Sequence, residues 1–333
     1  MAEHLLELQH LTREFRIGSF VIGKKMTAVD DVSLSLEGGK ATILSIVGES
    51  GCGKTTLTKM ILRLLQPTSG KVYLEGRDCY GRDAVDNKTF RTLVQPIFQN
   101  PFEAFSSRRQ VAKYLLDTAR ALGGAKNYDE AVQKTDEALR AVGLSYETVR
   151  GKYSTQFSGG ELQRVSIARE LITSPKLIIA DEPVAMIDAS MKMNIVNLFK
   201  QIRDDYGISF IYITHDLSTA YYVSDYIATL YRGSLIEYGR AVDIMENPAH
   251  PYTELLMNSV PHVGDKWKKN VPISDGEVKE FALTCCKFAP RCPYATEECR
   301  QRRPGEVSLE GSRKVLCFHP LFGLEEGKET EKP

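Results

Sequence analysis

Residues 41–56 read Ala41-Thr-Ile-Leu-Ser-Ile-Val47-Gly48-Glu-Ser-Gly-Cys-Gly53-Lys54-Thr55-Thr56. The part before Gly48 is a short, almost continuous apolar run ended by glycine, which is typical of a buried strand. The part from Gly48 to Thr55 matches G-x-x-x-x-G-K-[ST], and helical spacing follows to residue 65. A strand before this pattern and a helix after it are the context in which it binds phosphate. The stretch predicts a nucleotide-binding α/β fold.

Each part of this loop has a role toward a nucleotide. Its glycines let backbone N–H groups converge on phosphate oxygens, and the helix start adds partial positive charge. Lys54 is expected to contact the β- and γ-phosphates of ATP, and the Thr55 hydroxyl to bind Mg²⁺. The expected nucleotide contacts are Gly48, Glu49, Ser50, Gly51, Cys52, Gly53, Lys54, Thr55 and Thr56. A chance glycine-rich turn is the disfavoured alternative.

A second apolar run, residues 177–180, ends in Asp181 and Glu182. Because neighbours on a strand point to opposite faces, Asp181 can face Mg²⁺ while Glu182 faces an attacking water. Phosphoryl transfer needs this division between metal binding and water activation. Without the phosphate loop, a solvent-exposed corner between a strand and a loop would explain these two carboxylates equally well. Together the two motifs predict Mg²⁺-dependent ATP hydrolysis.

Composition narrows the function classes. The 333 residues include 43 basic and 43 acidic side chains, so no net charge favours nucleic acid, and no nucleic-acid partner is expected. No apolar run reaches the roughly 18 residues of a membrane span. Residues 1–4 lack the layout of a secretory signal. We expect a cytosolic chain that reaches a membrane only through a partner.

Strand-like and helical segments alternate along the chain, which predicts a mostly parallel sheet covered on both faces. Strands are expected within 4–9, 32–36, 41–47, 71–74, 93–98, 177–180 and 208–214, and helices within 54–65, 109–123, 128–142, 161–173 and 191–205. The helical block predicts a subdomain over about 100–173. The pattern fades into proline-, cysteine- and charge-rich sequence, which predicts domains at 1–245 and 246–333.

The segment Gln156-Phe-Ser158-Gly159-Gly160-Glu161-Leu-Gln-Arg resembles the LSGGQ signature of ABC transporter ATPase subunits. A serine hydroxyl and two glycine N–H groups at a helix start form a second anion cradle. Two phosphate cradles more than a hundred residues apart do not fit one ATP molecule. The resemblance implies that Ser158, Gly159, Gly160 and Glu161 contact ATP held by a second cassette, in a head-to-tail dimer with two composite sites.

Other motifs of this family occur in order along the chain. The resemblance implies that Gln99 senses Mg²⁺ and contacts the membrane partner, and that Asp188 lies in the loop joining the two sites. It also implies that His215 is the switch histidine near the γ-phosphate. Phe15 matches the aromatic residue that stacks on adenine, with Phe20 as the alternative.

The resemblance covers about residues 4–240. It implies a P-loop NTPase fold with a RecA-like core, an antiparallel edge and an inserted helical subdomain. The segment Asn247-Pro-Ala-His250-Pro-Tyr252-Thr resembles the dipeptide/oligopeptide importer branch. Oligosaccharide or nickel import, or a soluble ABC ATPase without a transport role, remain the alternatives.

The same branch implies specific partners. They are a second ATPase cassette, paralogous or identical, two transmembrane permease subunits and, indirectly, an extracytoplasmic substrate-binding protein. The expected location is the cytoplasmic face of the membrane, held through the permease subunits.

Five of the seven cysteines crowd residues 285–317. In a reducing compartment such a cluster suggests a metal before disulfides. The absence of a C-x-x-C pair disfavours a zinc ribbon, whereas four cysteines suit a [4Fe–4S] cluster. The resemblance implies such a cluster at Cys286, Cys292, Cys299 and Cys317, in a small C-terminal appendage, and zinc or free thiols are the alternatives. Cys285 is interpreted as a spare.

Overall fold

The computed structural model describes residues 3–17, 24–259 and 280–321. Its strands are β1 (His4–Ile17), β2 (Lys24–Glu37), β3 (Ile43–Val47), β4 (Ser69–Leu74), β5 (Arg77–Asp78), β6 (Val94–Ile97), β7 (Leu177–Asp181), β8 (Ser209–Thr214), β9 (Tyr226–Tyr231), β10 (Ser234–Arg240), β11 (Glu306–Leu309) and β12 (Arg313–Leu316). Its helices are α1 (Lys54–Ile61), α2 (Asn87–Leu93), α3 (Val111–Ala121), α4 (Tyr128–Ala141), α5 (Tyr146–Val149), α6 (Gly159–Leu171), α7 (Ala189–Tyr206), α8 (Leu217–Val223), α9 (Ala241–Glu246), α10 (Pro251–Asn258) and α11 (Glu297–Gln301).

The main sheet of the described chain has the strand order β11-β12-β10-β9-β3-β8-β7-β6. Strands β6, β7, β8, β3 and β9 run parallel, and β10, β12 and β11 continue the sheet in antiparallel pairs. The sequence predicted the parallel core because short apolar runs without alternation indicate strands that are buried on both faces.

Both faces of this sheet are covered. On β7, Ile178 and Ala180 belong to one core cluster, whereas Leu177 and Ile179 belong to the other. The first cluster includes most of the buried residues of α3, α4 and α6, so the predicted helical block packs on that face. Helix α4 begins after Asn127, which caps it by accepting a hydrogen bond from the backbone N–H of Glu130 at 2.9 Å.

A smaller antiparallel sheet, in the order β2-β1-β4-β5, covers the other face. Its strands β1 and β2 each span 14 residues and are much longer than the sequence pattern indicated. Phe15, which lies outside the strand predicted at 4–9, is therefore part of β1, where it pairs with Met26.

The small cysteine-rich C-terminal appendage that the sequence predicted is not confirmed. Glu237 and Tyr238 of β10 pair with Val315 and Lys314 of β12, so the region after residue 305 extends the main sheet. Strands β11 and β12 have only four residues each, so the sequence shows little periodicity there. Strands β9 and β10 were also not predicted from the sequence. No helix within residues 3–17, 24–259 and 280–321 is long and apolar enough to cross a membrane.

Candidate nucleotide-binding and catalytic site

The carboxyl ends of the parallel strands lie side by side. Val47, the last residue of β3, pairs with Thr214 of β8, and Asp181 pairs with Ile213 of β8. Strand β6 ends beside β7 in the same direction, two residues before Gln99. The phosphate loop, the paired carboxylates, the histidine after β8 and Gln99 therefore emerge at one edge of the sheet, where α/β proteins bind their ligands.

The phosphate loop packs so closely on its neighbours that two of its glycines have no room for a side chain. A Cβ atom on Gly53 would lie 2.3 Å from the carbonyl oxygen of Ala28, and Gly53 has a φ of 111°. A Cβ atom on Gly48 would lie 2.3 Å from the carbonyl oxygen of Leu230. Glycine at these two positions thus lets the loop pass close to the backbone of Ala28 and Leu230 at the start of α1.

The side chain of Lys54 is buried beneath this loop. Its Nζ atom donates to the carbonyl oxygens of Gly48 at 2.7 Å and Glu49 at 2.9 Å. Ser50, Gly51 and Thr55 are exposed on the loop surface, and Cys52 is buried. Burial raises the pKa of the Cys52 thiol. These two carbonyl contacts hold the ammonium group of Lys54 at the phosphate loop.

The two carboxylates after β7 have different surroundings. Burial, and then the neighbouring Glu182 carboxylate, raise the pKa of Asp181, while Lys54 and Lys59 act in the opposite direction. Glu182 has a φ of 45°, in the left-handed region that is strained for residues other than glycine. Its backbone N–H donates to the carbonyl of Ile213 at 2.8 Å. Backbone strain of this kind concentrates at functional sites.

Glu182 also faces His215, which follows β8. Oε1 of Glu182 lies 3.0 Å from Nδ1 of His215, and both residues line a cavity of about 370 Å³. A carboxylate that an imidazole orients beside an open cavity can position and deprotonate a water molecule.

Ser158 begins helix α6 and is exposed. Its Oγ atom accepts from the backbone N–H of Glu161 at 3.3 Å, and Oε2 of Glu161 accepts from the backbone N–H of Ser158 at 2.9 Å. Gly159 and Gly160 form the first turn of this 13-residue helix. The second predicted anion cradle thus stands at a capped, solvent-facing helix start.

Two family models match the chain. The model described as ABC transporter matches residues 29–185, and the model described as Oligopeptide/dipeptide transporter, C-terminal region, matches residues 236–299. The Di/tripeptide transport ATP-binding protein DppF of Pseudomonas aeruginosa is 34% identical over 322 residues, which cover 95% of this chain and 98% of that protein. This chain belongs to the ABC transporter ATPase family.

Further relatives agree with this assignment. The Oligopeptide transport ATP-binding protein OppF of Salmonella typhimurium is 36% identical over 89% of this chain and 88% of that protein. A solved structure, the dimeric post-hydrolysis state of the ATP-binding cassette MJ0796 bound to ADP and Pi, matches with a TM-score of 0.60 and 25% identity. That match covers 71% of this chain and 98% of the other chain. The chain is therefore an ABC ATPase, which couples ATP hydrolysis to transport.

The structure also places three further residues that the sequence predicted to contact nucleotide or Mg²⁺. Gln99 and Asp188 are exposed, and Asp188 begins helix α7. The ring of Phe15 is half-buried beneath the guanidinium group of Arg13, 4.8 Å from the ring centroid. Phe20, the alternative adenine-stacking residue, lies outside the described residues.

Sequence reasoning missed how the C-terminal region contacts the phosphate loop of the ABC ATPase. Arg291 binds the Glu49 carboxylate, and the Tyr252 hydroxyl accepts from the Glu49 backbone N–H at 2.9 Å. The segment around His250 signalled only the importer branch, and nothing in the sequence linked Arg291 to a residue 242 positions earlier.

The four predicted cluster cysteines line one small cavity of about 10 Å³, and Cys285 does not. All seven cysteines lie among the described residues, and none of them forms a disulfide. Burial raises the pKa of Cys286 to about 11 and of Cys317 to about 12, and the neighbouring thiols contribute. No group of three or more His, Cys, Asp or Glu side chains in the described parts of the chain is placed to hold a metal. The predicted metal site is therefore not confirmed.

Proposed function

We propose that this ABC ATPase binds Mg²⁺-ATP at residues 48–56 and drives the import of dipeptides or oligopeptides. The main support for this site is that the phosphate loop, Asp181, Glu182 and His215 all lie at one edge of the main sheet. Lys54 neutralises the β- and γ-phosphates, and other residues of the loop supply backbone N–H donors.

The residues at this edge suit Mg²⁺, which prefers oxygen ligands. The Thr55 hydroxyl, the Asp181 carboxylate and the Gln99 side-chain oxygen would hold it. The raised pKa of Asp181 supports this role, because a carboxylate that is unfavourably charged alone gains most from a nearby cation. Bound Mg²⁺ would neutralise charge on the phosphates and orient them.

Glu182 is the proposed general base. Its carboxylate accepts a proton from water as the water oxygen bonds to the γ-phosphorus, and the bond from the γ-phosphorus to the bridging oxygen breaks to give ADP and phosphate. The contact with His215 at 3.0 Å holds the Glu182 carboxylate at the cavity. The half-buried ring of Phe15 would stack on adenine.

A second cassette, identical or paralogous, would complete each site. The proposed anion cradle at the start of α6 consists of Ser158, Gly159, Gly160 and Glu161, of which Ser158 is exposed and Gly160 is buried. Its packing supports a link between the two sites of a dimer: a Cβ on Gly160 would lie 3.5 Å from Met191 of α7, the helix that Asp188 begins. The dimeric structure of MJ0796 also supports the pairing of two cassettes.

The C-terminal match at residues 236–299 and the names of the relatives support a peptide cargo and, through the transport role that they name, membrane partners. We propose two transmembrane permease subunits that hold the ATPase at the cytoplasmic face of the membrane. A substrate-binding protein would deliver peptides on the other side. Import of oligosaccharides or nickel is the second candidate.

Purification of the intact complex tests this proposal. A second cassette and two membrane subunits should copurify, and liposomes containing the complex should take up labelled peptide only with ATP and the binding protein. Uptake of nickel or an oligosaccharide instead of peptide would show that the proposed peptide cargo is wrong. A chain that copurifies with no membrane subunit would support the soluble alternative.

We also propose a functional division of the chain. Residues 1–245 would form the nucleotide-binding domain, with the helical subdomain at about 100–173, and residues 246–333 would form an extension. The two family matches, 29–185 and 236–299, do not overlap, which supports two parts, although the second match begins inside the proposed first domain.

The extension would hold a [4Fe–4S] cluster through Cys286, Cys292, Cys299 and Cys317, with zinc as the alternative. The support is chemical: four thiols without disulfide partners line the same cavity and are the ligand set of such a cluster, but the described side chains are not placed to hold a metal as they stand, so the cysteines would have to move apart to bind it. A bound cluster would crosslink the chain segments that carry these four cysteines, in a region that has little core of its own.

A further inference from the structure

Glu49, the second residue of the phosphate loop, is held from the C-terminal region by two separate contacts. The guanidinium group of Arg291 binds both carboxylate oxygens of Glu49, at 2.8 and 2.9 Å. The hydroxyl of Tyr252 accepts from the Glu49 backbone N–H at 2.9 Å. The Glu49 carbonyl in turn accepts from Nζ of Lys54 at 2.9 Å. A chain of hydrogen bonds therefore runs from the C-terminal region to the lysine of the phosphate site.

The two groups that hold Glu49 are themselves rigidly placed. Tyr252 is fully buried, with its ring centroid 4.5 Å from that of Tyr231 and 5.5 Å from that of Phe288. The guanidinium group of Arg291 lies 5.8 Å from the ring centroids of both Tyr231 and Phe288. Packing of this kind fixes a side chain in one rotamer, so both contacts can transmit position to Glu49.

Charge gives Arg291 a second effect. A carboxylate in a phosphate-binding loop repels the nucleotide unless a cation compensates it. The hydrogen bonds from Arg291 are the largest cause that lowers the pKa of Glu49, so this carboxyl is charged and paired. The Arg291 and Glu49 side chains are only 17% and 32% exposed, and the pairing is bidentate, which makes it stronger than an ordinary surface ion pair.

We propose that Arg291 and Tyr252 are positioning residues for ATP binding, which act on the phosphate loop through Glu49. They hold the loop in the conformation that presents Lys54 and the backbone N–H groups, and Arg291 cancels the charge of Glu49. This inference rests on the proposed role of residues 48–56 in ATP binding.

The test compares ATP affinity, KM and kcat in the full-length protein with its partner subunits. Arg291→Gln should raise KM and Kd for ATP about 10-fold and change kcat less than about 2-fold, because the contact acts on binding and not on the attacking water. Arg291→Lys should recover part of the loss, since lysine keeps the charge but not the bidentate geometry. Tyr252→Phe, which keeps the ring, should weaken ATP binding by a smaller factor.

A double substitution and a matched control separate this role from general stability. In a Glu49→Gln background, Arg291→Gln should have much less effect, because its partner charge is already absent. Arg303→Gln breaks another contact between the C-terminal region and the core, the 3.1 Å ion pair with Asp30, and should leave ATP affinity unchanged.

Wild-type ATP affinity in folded Arg291→Gln protein would overturn the inference. So would equal losses in Arg291→Gln and Arg303→Gln that follow a lowered Tm, which would indicate a merely structural contact. A different result would overturn the proposed ATP site itself. If ATP still bound to Lys54→Ala protein, residues 48–56 would not be the nucleotide site, whatever the effect of Arg291→Gln.

Discussion

The Nδ1 atom of His215 lies 3.0 Å from Oε1 of Glu182, although the two residues are 33 positions apart in the chain. The pairing of β7 with β8 produces this contact, because each residue directly follows one of the two strands. The φ of 45° at Glu182 turns the chain sharply at the strand end. Local backbone strain thus helps to bring a carboxylate and an imidazole together at the edge of the sheet.

Glu182→Gln should keep ATP binding and lose hydrolysis. Lys54 and Asp181 still bind Mg²⁺-ATP, but the amide cannot accept a proton from water, and the loss of such a base costs roughly 10²- to 10⁴-fold in rate. ATPase rate and nucleotide Kd should be measured on the same preparation. Hydrolysis near the wild-type rate in a well-folded variant would remove Glu182 from its proposed role.

Lys54→Ala should instead lose ATP binding. The substitution removes the ammonium group that Gly48 and Glu49 hold at the loop, so the phosphate charge is left uncompensated. Lys59→Ala, on the same helix, is the matched control and should bind ATP nearly as well as wild type. Equilibrium binding of a fluorescent ATP analogue distinguishes the two, and equal affinities for both variants would contradict the assignment.

The sequence indicated which strand ends lie side by side because its signals are local. Gly48–Thr55, Asp181–Glu182 and the residues around His215 each follow a short apolar strand, and parallel pairing brings such strand ends together. The C-terminal contacts could not be predicted in this way. Arg291 and Glu49 are 242 positions apart, and neither residue carries a pattern that identifies its partner.

His250→Asn should make the protein less sensitive to acid. Burial lowers the pKa of His250 to about 3, from an ordinary value of 6.5, while Nδ1 accepts from the Tyr252 backbone N–H at 3.0 Å. The unfolded chain therefore takes up a proton below about pH 6.5 that the folded chain refuses, and stability falls by about 1.4 kcal/mol per further pH unit, down to about pH 3. Asparagine keeps an acceptor at this helix start but does not titrate.

The measurement is the free energy of unfolding by urea for wild type and His250→Asn at about pH 7.5, 6.5 and 5.5. The variant should lose less stability between pH 6.5 and 5.5, by about 1 kcal/mol. Identical pH slopes for the two proteins would show that His250 is not kept neutral in the folded chain.

Lys54→Ala and Gly160→Asp subunits should restore hydrolysis when they are mixed. Gly160 is a buried residue in the first turn of α6, where an added carboxylate would repel phosphate. The atoms nearest to its Cβ position belong to Met191 and Ile187 at 3.5–3.9 Å, an ordinary contact distance, so the fold should tolerate the change. In a mixed dimer one composite site combines two intact halves. At equal ratio about a quarter of all sites should be intact.

Gly160→Ala is the control for this experiment, because it adds bulk without charge and should stay active. If the natural partner is a paralogous cassette, the two substitutions are placed on opposite chains. Mixtures that recover no activity at any ratio would argue against sites shared between subunits.

Cys292→Ser should remove an iron–sulfur cluster from the protein. Cys292 lines the same small cavity as Cys286, Cys299 and Cys317, and four thiolates are the ligand set of a [4Fe–4S] centre. Wild-type protein purified without oxygen should be brown and contain about four iron and four labile sulfide ions per chain. Cys292→Ser protein should be colourless. Proteases should cut it faster after residue 280, because the cluster would no longer crosslink the segments that carry the four cysteines.

Cys285→Ser is the matched control for the cluster, because Cys285 is adjacent in sequence but does not line that cavity. This variant should keep its colour, its iron content and its resistance to proteases. Stoichiometric zinc without iron, in wild-type protein made with ample iron and no oxygen, would replace the cluster with a zinc site. If neither metal is present and Cys292→Ser resists proteases as well as wild type, the four cysteines are free thiols, and the contacts of Arg291 and Tyr252 would be what anchors this region to the phosphate loop.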